Sequence, residues 1–204
     1  MTQEAWEERY SQPDHVWSGK VNHWLAEIAG DLAPGRALDL ACGEGGDALW
    51  LAGRGWQVTA VDFAASALQR GAAQAEATGL ADRITWLQAD LGAGWQPPGT
   101  FDLVTMQFLH TPADEARDAA LRAAWAATSG TLLVVAHDPS NLTEGSGGGP
   151  PDPAVLYGPA EVLAALGLAA GDTAVAVAET RRRESASGSW VDAVVVVRRD
   201  HPGG

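Results

Sequence analysis

Up to about residue 138, short apolar runs alternate with stretches of helical period. "RALDLA" at 36–41, "WQVTAVD" at 56–62, "RITWLQAD" at 83–90, "FDLVTMQ" at 101–107 and "TLLVVAHD" at 131–138 have the length and β-branched content of buried strands. Between them, residues 46–54 form a helical stretch closed by Gly55, and the Ala-rich segment 64–79 ends at Gly79. A further helix is entered at Thr111 and Pro112, as N-cap and first turn, with Leu121 and Trp125 one turn apart on a single face. Ahead of the first strand, Val21, Trp24, Leu25 and Ile28 follow the i, i+3, i+4, i+7 spacing of an amphipathic helix. After residue 138 the pattern loosens. Residues 139–153 are rich in Gly and Pro and are expected to be a mobile loop. A short helix starts at Pro159 and stops at Gly167. The β-rich runs 173–183 and 190–198 are joined by "ESASGS", short enough for a hairpin. The alternation predicts an α/β fold: a doubly wound, seven-stranded, mostly parallel sheet with an antiparallel last strand and helices on both faces.

Composition adds limits. The 204 residues suffice for one domain, and 46% apolar content is that of an ordinary globular chain. No apolar run approaches the roughly 20 residues that cross a bilayer, and the acidic "MTQEAWEERY" does not read as a signal peptide. A lone cysteine, Cys42, fits a reducing cytoplasm and reads as a small core filler. The net charge of −13 repels phosphate backbones, so no nucleic-acid partner is expected, and Arg181–Arg183 read as the solvated end of a strand. No Cys/His cluster has metal spacing, so no metal is expected.

The chemistry begins at "ALDLACGEGGDALWLA", residues 37–52, where a buried strand carries Asp39 and runs into Gly43, Gly45 and Gly46. A strand, a glycine turn and a helix make a nucleoside site in a Rossmann-like sheet. Gly43 and Gly45 let a ligand lie against the backbone, and the helix from Gly46 offers free amides. Asp62 ends the second strand about 20 residues on, where a carboxylate suits two ribose hydroxyls. Gly43-Glu44-Gly45-Gly46-Asp47-Ala48 also satisfies the loose G-x-G-x-x-G/A pattern, which keeps a nicotinamide or flavin enzyme in play. Two acids argue against it. Asp39 would repel a pyrophosphate and attract a cation. Asp90, at the end of the third strand, can accept from an adenine amino group, with the Leu91 amide meeting a ring nitrogen. Three carboxylates at successive strand ends fit an ammonium, a ribose and an adenine without phosphate. S-adenosylmethionine is such a ligand.

The sequence resembles the class I S-adenosylmethionine-dependent methyltransferases through "LDLACGEGG", "VTAVDF", "LQADL" and "FDLV", in order over roughly residues 35–138. It departs at Ala41, where the family usually has glycine and a slightly tighter turn is expected, and at Ala64, where a serine often caps the next helix. The entry segment "WEERYSQPDHVWSGKVN" resembles the thiopurine and tellurite-resistance branch, whose W-x-x-R-[WY] helix and following tryptophan close over the cofactor. By that resemblance Trp17 covers the methionine end, Tyr10 lines the pocket mouth and Arg9 meets the cofactor carboxylate. Phe63 and Gln107 count with the cofactor contacts. The implied layout is a helical cap over 1–34, a cofactor-binding core over 35–138, and a loop, helix and hairpin on the substrate side over 139–204.

Plainer readings stand beside these. Asp39 can be a turn-stabilising acid, although an unpartnered buried acid costs several kcal/mol. Asp62 can be the N-cap of the next helix, and Asp90 an ordinary turn residue. His110 follows the fourth strand, and His137 with Asp138 ends the fifth, at the rim where ligands bind in open sheets. His110 is the candidate general base; His137, with Tyr10 and Phe108, is a candidate acceptor contact, or merely a loop-bonding histidine. The expected activity is methyl transfer to a small molecule, with a thiol or another soft nucleophile favoured by the branch resemblance, by a monomer or homodimer. A nucleotide-dependent oxidoreductase and a non-catalytic adenosyl-binding module are the alternatives.

Overall fold

The structure, a computed structural model, describes residues 3–12, 16, 19–111, 114–169, 171–172 and 174–199. Trp17 and Pro112 therefore lie outside the described residues. The elements run α1 (Gln3–Ser11), α2 (His23–Ala29), β1 (Arg36–Leu40), α3 (Gly46–Gly53), β2 (Gln57–Asp62), α4 (Ala65–Ala77), β3 (Ile84–Gln88), β4 (Phe101–Gln107), α5 (Asp114–Ala127), β5 (Thr128–His137), α6 (Asn141–Glu144), α7 (Pro159–Leu166), β6 (Val175–Ser185) and β7 (Gly188–Arg198). Among the described residues no helix is long and apolar enough to cross a membrane.

The seven strands stand in the order β3-β2-β1-β4-β5-β7-β6. Strands β1 to β5 are mutually parallel; β7 is antiparallel to both β5 and β6. The antiparallel strand is last in the chain but not in space, because β6 takes the sheet edge outside it. The hairpin is tighter than expected. Both strands extend into "ESASGS" and leave a two-residue turn at Ala186 and Ser187, followed by Gly188 at φ 137°.

Alternation along the central strands feeds two cores. Leu38, Leu40, Val104, Met106, Leu132 and Val134 pack with α5 and α7. Ala37, Leu103, Leu133, Val135, Val194 and Val196 pack with α2 and α3 on the other face. By the same period Asp39, Gln107, His137 and Asp192 belong to the second face, at or near the β1, β4 and β5 carboxyl ends. The chain order reverses between β1 and β4, which makes their carboxyl ends the switch point of the sheet.

The Gly/Pro-rich segment after β5 is no free excursion. It forms the single turn α6, and Asn141 accepts from the Val191 amide at 2.9 Å and donates to the Gly148 carbonyl at 3.0 Å. The Ser146 and Gly147 amides both donate to the Ser189 carbonyl at 2.8 Å. Backbone bonds to β7 thus replace the solvent that the composition led one to expect.

Candidate functional site

The turn after β1 is built from left-handed backbone: Ala41 at φ 56°, Gly43 at φ 53° and Gly45 at φ 77°. This corrects the expected reason for glycine at 41. The position needs a positive φ, not a tighter turn, and an alanine there is strained by about 1–2 kcal/mol. Gly45 has a packing reason as well. A Cβ there would overlap the Trp86 ring of β3, and so would one at Gly71 on α4. The indole is seated between two glycines, which brings helix and sheet close together.

The start of α3 is turned inward, not left free for an anion. The Ala48 amide donates to Asp39, and the Asp47 carboxylate accepts from the Asn22 amide at 2.6 Å and from Gln107 Nε2 at 2.8 Å. Gln107 Nε2 also reaches Thr105 Oγ1 at 3.1 Å, and Thr105 stands opposite Asp39 in the β1–β4 register. Asp62 accepts from the Gly43 amide at 2.8 Å through one oxygen and from the Ala64 amide at 2.9 Å through the other. It therefore holds the glycine turn and the entry to α4; the N-cap of α4 is Ala64, so Asp62 braces the residue before the helix and is not its cap.

These carboxylates are gathered close enough to perturb one another. Burial, then Asp47 and Asp62, push the Asp39 carboxyl well above its ordinary range. Burial lifts Asp47 to about 6 and raises Asp62 as well. Cys42 beside them is pushed up by burial and by Asp39, which keeps it a thiol and fits its role as filler. Among the described residues, three buried polar side-chain atoms lack a partner: Asp39 Oδ2, Gln107 Oε1 and His110 Nε2. The first is a carboxylate oxygen and the second an amide carbonyl. The third is a bare ring nitrogen, because His110 Nδ1 spends its hydrogen on the Val155 carbonyl at 2.9 Å. All three are acceptors, from β1, β4 and the segment just after β4.

Other predicted residues fall around this rim. Asp90 is exposed and caps its own turn, accepting from the Gly92 amide at 2.8 Å, while Leu91 is buried in the α5 core. Tyr10, 4% exposed, stacks on Trp6 at 5.5 Å and packs with Ala64 and Ala67, with Phe63 alongside. Arg9 is on the exposed side of α1, its guanidinium 5.2 Å from the centre of the Trp6 ring.

The segment after β4 carries a second strained residue, Phe108, at φ 55°. Its ring lies 4.7 Å from His137, and the His137 and His110 rings stack at 5.4 Å, 3° from parallel. His137 Nδ1 is 3.0 Å from Asp192 on β7. Burial lowers His110 to about 4, so the imidazole predicted as general base is a neutral hydrogen-bond acceptor across the physiological range.

Reading the sequence missed several residues. Asp192 interrupts "WVDAVVVV", and an acid inside a valine run is the same signal that drew attention to Asp39. Arg183 is not a solvated strand end: its Nε meets Asp192 at 2.6 Å. Glu7 had no signal. It replaces the missing side-chain cap at Ala64 from a different helix, accepting from the Ala65 amide at 2.5 Å and the Ser66 amide at 3.2 Å.

Residues 37–129 match the model of the methyltransferase domain family. A demethylmenaquinone methyltransferase of Thermus thermophilus is 43% identical over 84 residues, 40% of this chain and 37% of that protein. The matched part thus spans little more than a third of that relative. Among solved structures, the one reported with the conversion of a disulfide bond into a thioacetal group during echinomycin biosynthesis superposes with a TM-score of 0.73. It is 20% identical, over 100% of this chain and 93% of that one. TehB from Haemophilus influenzae gives 0.69 at 16% identity, over 97% of this chain and 67% of that one. Magnesium protoporphyrin IX methyltransferase from Synechocystis PCC 6803, solved with bound SAH, gives 0.64 at 19%, over 97% and 83%.

Proposed function

We propose that this chain, which carries a class I S-adenosylmethionine-dependent methyltransferase domain, transfers the methyl group of S-adenosylmethionine to a small-molecule acceptor. One observation carries the reading. Among the described residues, the buried polar atoms left without partners at the sheet's switch point are all acceptors, and Asp47 and Asp62 press on the buried Asp39. Such a site is completed by a ligand that brings hydrogen-bond donors and positive charge. The cofactor's ammonium and sulfonium supply both, whereas a dinucleotide pyrophosphate would add negative charge.

In this reading Asp39 and Gln107 receive the ammonium and Asp62 the ribose. Asp90 and Leu91 border the adenine, with Phe63 beside it and Gly43 under the chain. Residues 1–34 form the cap, with Tyr10 over the pocket and Arg9 toward the cofactor carboxylate. The bound cofactor supplies an electrophilic methyl carbon on a sulfide leaving group, so the protein's task is mainly to align a nucleophile and exclude water. Phe108, His110 and His137 border the acceptor.

The N-terminal segment alone points to a thiol or another soft nucleophile, whereas the acceptor end points to a nucleophile that must give up a proton. The acceptor end carries a fixed imidazole–carboxylate pair, which a thiol does not need. The charge of −13 supports a small molecule over a nucleic acid, and the lone Cys42 supports a cytoplasmic setting.

Calorimetry tests the core claim. S-adenosylhomocysteine should bind in the micromolar range and NAD(P) should not; the reverse result would make the chain a nucleotide-dependent oxidoreductase. Binding without turnover of any acceptor would leave a non-catalytic module.

A further inference from the structure

Asp192 is wholly buried, yet nothing in cofactor binding uses it. It lies opposite His137 in the β5–β7 register. One carboxylate oxygen meets His137 Nδ1 at 3.0 Å. The other accepts from Trp24 Nε1 at 2.9 Å and Arg183 Nε at 2.6 Å. Burial alone would raise this carboxyl, but His137, Trp24 and Arg183 outweigh it and hold it below the usual range. An ionised carboxylate has no hydrogen to give, so the hydrogen in this contact is on His137 Nδ1.

The neighbouring His110 is fixed in the same tautomer by a different partner, the neutral Val155 carbonyl. Both imidazoles thus use Nδ1 on a fixed acceptor and leave Nε2 on the other side of the ring, and they differ in what stands behind them. A carboxylate stabilises the cation that forms when an imidazole takes a proton; a carbonyl in a buried setting does so far less. Gly149 packs closely on His137: a Cβ there would stand 3.2 Å from Nε2. The walls are flat rings, Phe108 at 4.7 Å from His137, and Tyr157 at 6.0 Å from His110 with its hydroxyl tied to the Leu109 carbonyl at 3.0 Å.

We propose that His137, positioned by Asp192, is the general base of the acceptor site, and that the acceptor is an aromatic hydroxyl whose proton it removes. This rests on the methyltransferase reading above. The hydroxyl oxygen forms a bond to the methyl carbon as the carbon–sulfur bond breaks. The bond's electron pair goes to sulfur, giving the neutral sulfide, and the hydroxyl proton goes to His137 Nε2 and then to water. His110 Nε2 accepts a hydrogen bond and stays unprotonated. His137 is the catalytic residue and Asp192 a positioning residue.

The test uses the full chain, S-adenosylmethionine and two simple phenols. One has an ordinary pKa of about 10; the other is a nitrophenol that ionises unaided near neutrality. His137→Gln should lower kcat on the ordinary phenol by roughly 100-fold or more and spare the nitrophenol within a few-fold. S-adenosylhomocysteine affinity should stay within about twofold, which also certifies the fold. Asp192→Asn should lower kcat with little change in KM. In ¹⁵N spectra the unmodified chain should show an Nδ1–H signature for His137, and Asp192→Asn should remove it. Equal losses on both phenols, or turnover of thiols but not phenols with no dependence on His137, would overturn the base. Absence of S-adenosylhomocysteine binding to the unmodified chain would instead remove the methyltransferase reading beneath it.

Discussion

Changing Asp39 to asparagine should make the empty protein more stable and the cofactor site worse. Asparagine keeps the shape of the side chain and its carbonyl can still accept from the Ala48 amide. What it removes is a buried negative charge beside Asp47 and Asp62, with one oxygen unpartnered. Removing one of three crowded carboxylates should stabilise the ligand-free chain by about 1–2 kcal/mol, or roughly 2–8 °C in Tm for a chain of this size. The gain has a defined pH course. A carboxyl whose folded pKa is raised binds its proton more tightly when folded, so the unmodified chain loses stability as pH climbs from the ordinary carboxylate range through the raised value. The variant should match the unmodified chain near pH 4 and outlast it increasingly above that. Binding should move the other way. A charge-assisted hydrogen bond is worth about 1.5–3 kcal/mol, so S-adenosylhomocysteine affinity should fall roughly 10- to 150-fold. Scanning calorimetry across pH and titration calorimetry at pH 8 read the two effects on one sample. A variant with lower Tm at pH 8 and undiminished affinity would show that Asp39 is a structural turn acid, and the reasoning from unpartnered acceptors would fall with it.

Two further outcomes follow from the turns that frame the site. Ala41→Gly should raise stability by about 1 kcal/mol by relieving a left-handed alanine at φ 56°, with ligand affinity unchanged; an equal or lower Tm would mean that the turn carries no such strain. Glu7→Ala should cost about 1 kcal/mol at neutral pH, since it strips the cap from α4. The hydrogen bond from Ser66, set against a smaller burial penalty, holds the Glu7 carboxyl below its ordinary value. Its contribution is therefore complete above the ordinary carboxylate range and disappears as pH falls through the lowered value. Melts at pH 7 and pH 3 check this, and a difference that persists at pH 3 would refute it.

How far the site could be read from the chain depends on where each residue's reason lies. Asp39, Asp62 and the glycine turn were visible because their environment is local: a strand, a turn and a helix consecutive in sequence fix what surrounds them. The parallel sheet was visible for the same reason, since its crossovers fall within the alternation of periods. His110 is the candidate base in the sequence because sequence shows only that a histidine follows β4. What separates it from His137 is the partner behind each ring, and those partners are far away in the chain: Val155 for one, Asp192 for the other. Asp192 itself comes from the hairpin that returns beside β5, with Trp24 and Arg183 converging from α2 and β6. Four segments meet there and none encodes the meeting. The general lesson lies in two acids, Asp39 and Asp192, each set in an otherwise apolar strand. The chain announces such a residue by its misfit, and only the fold reveals whether the charge is already matched. Asp192 has three donors, whereas Asp39 keeps one oxygen without a partner.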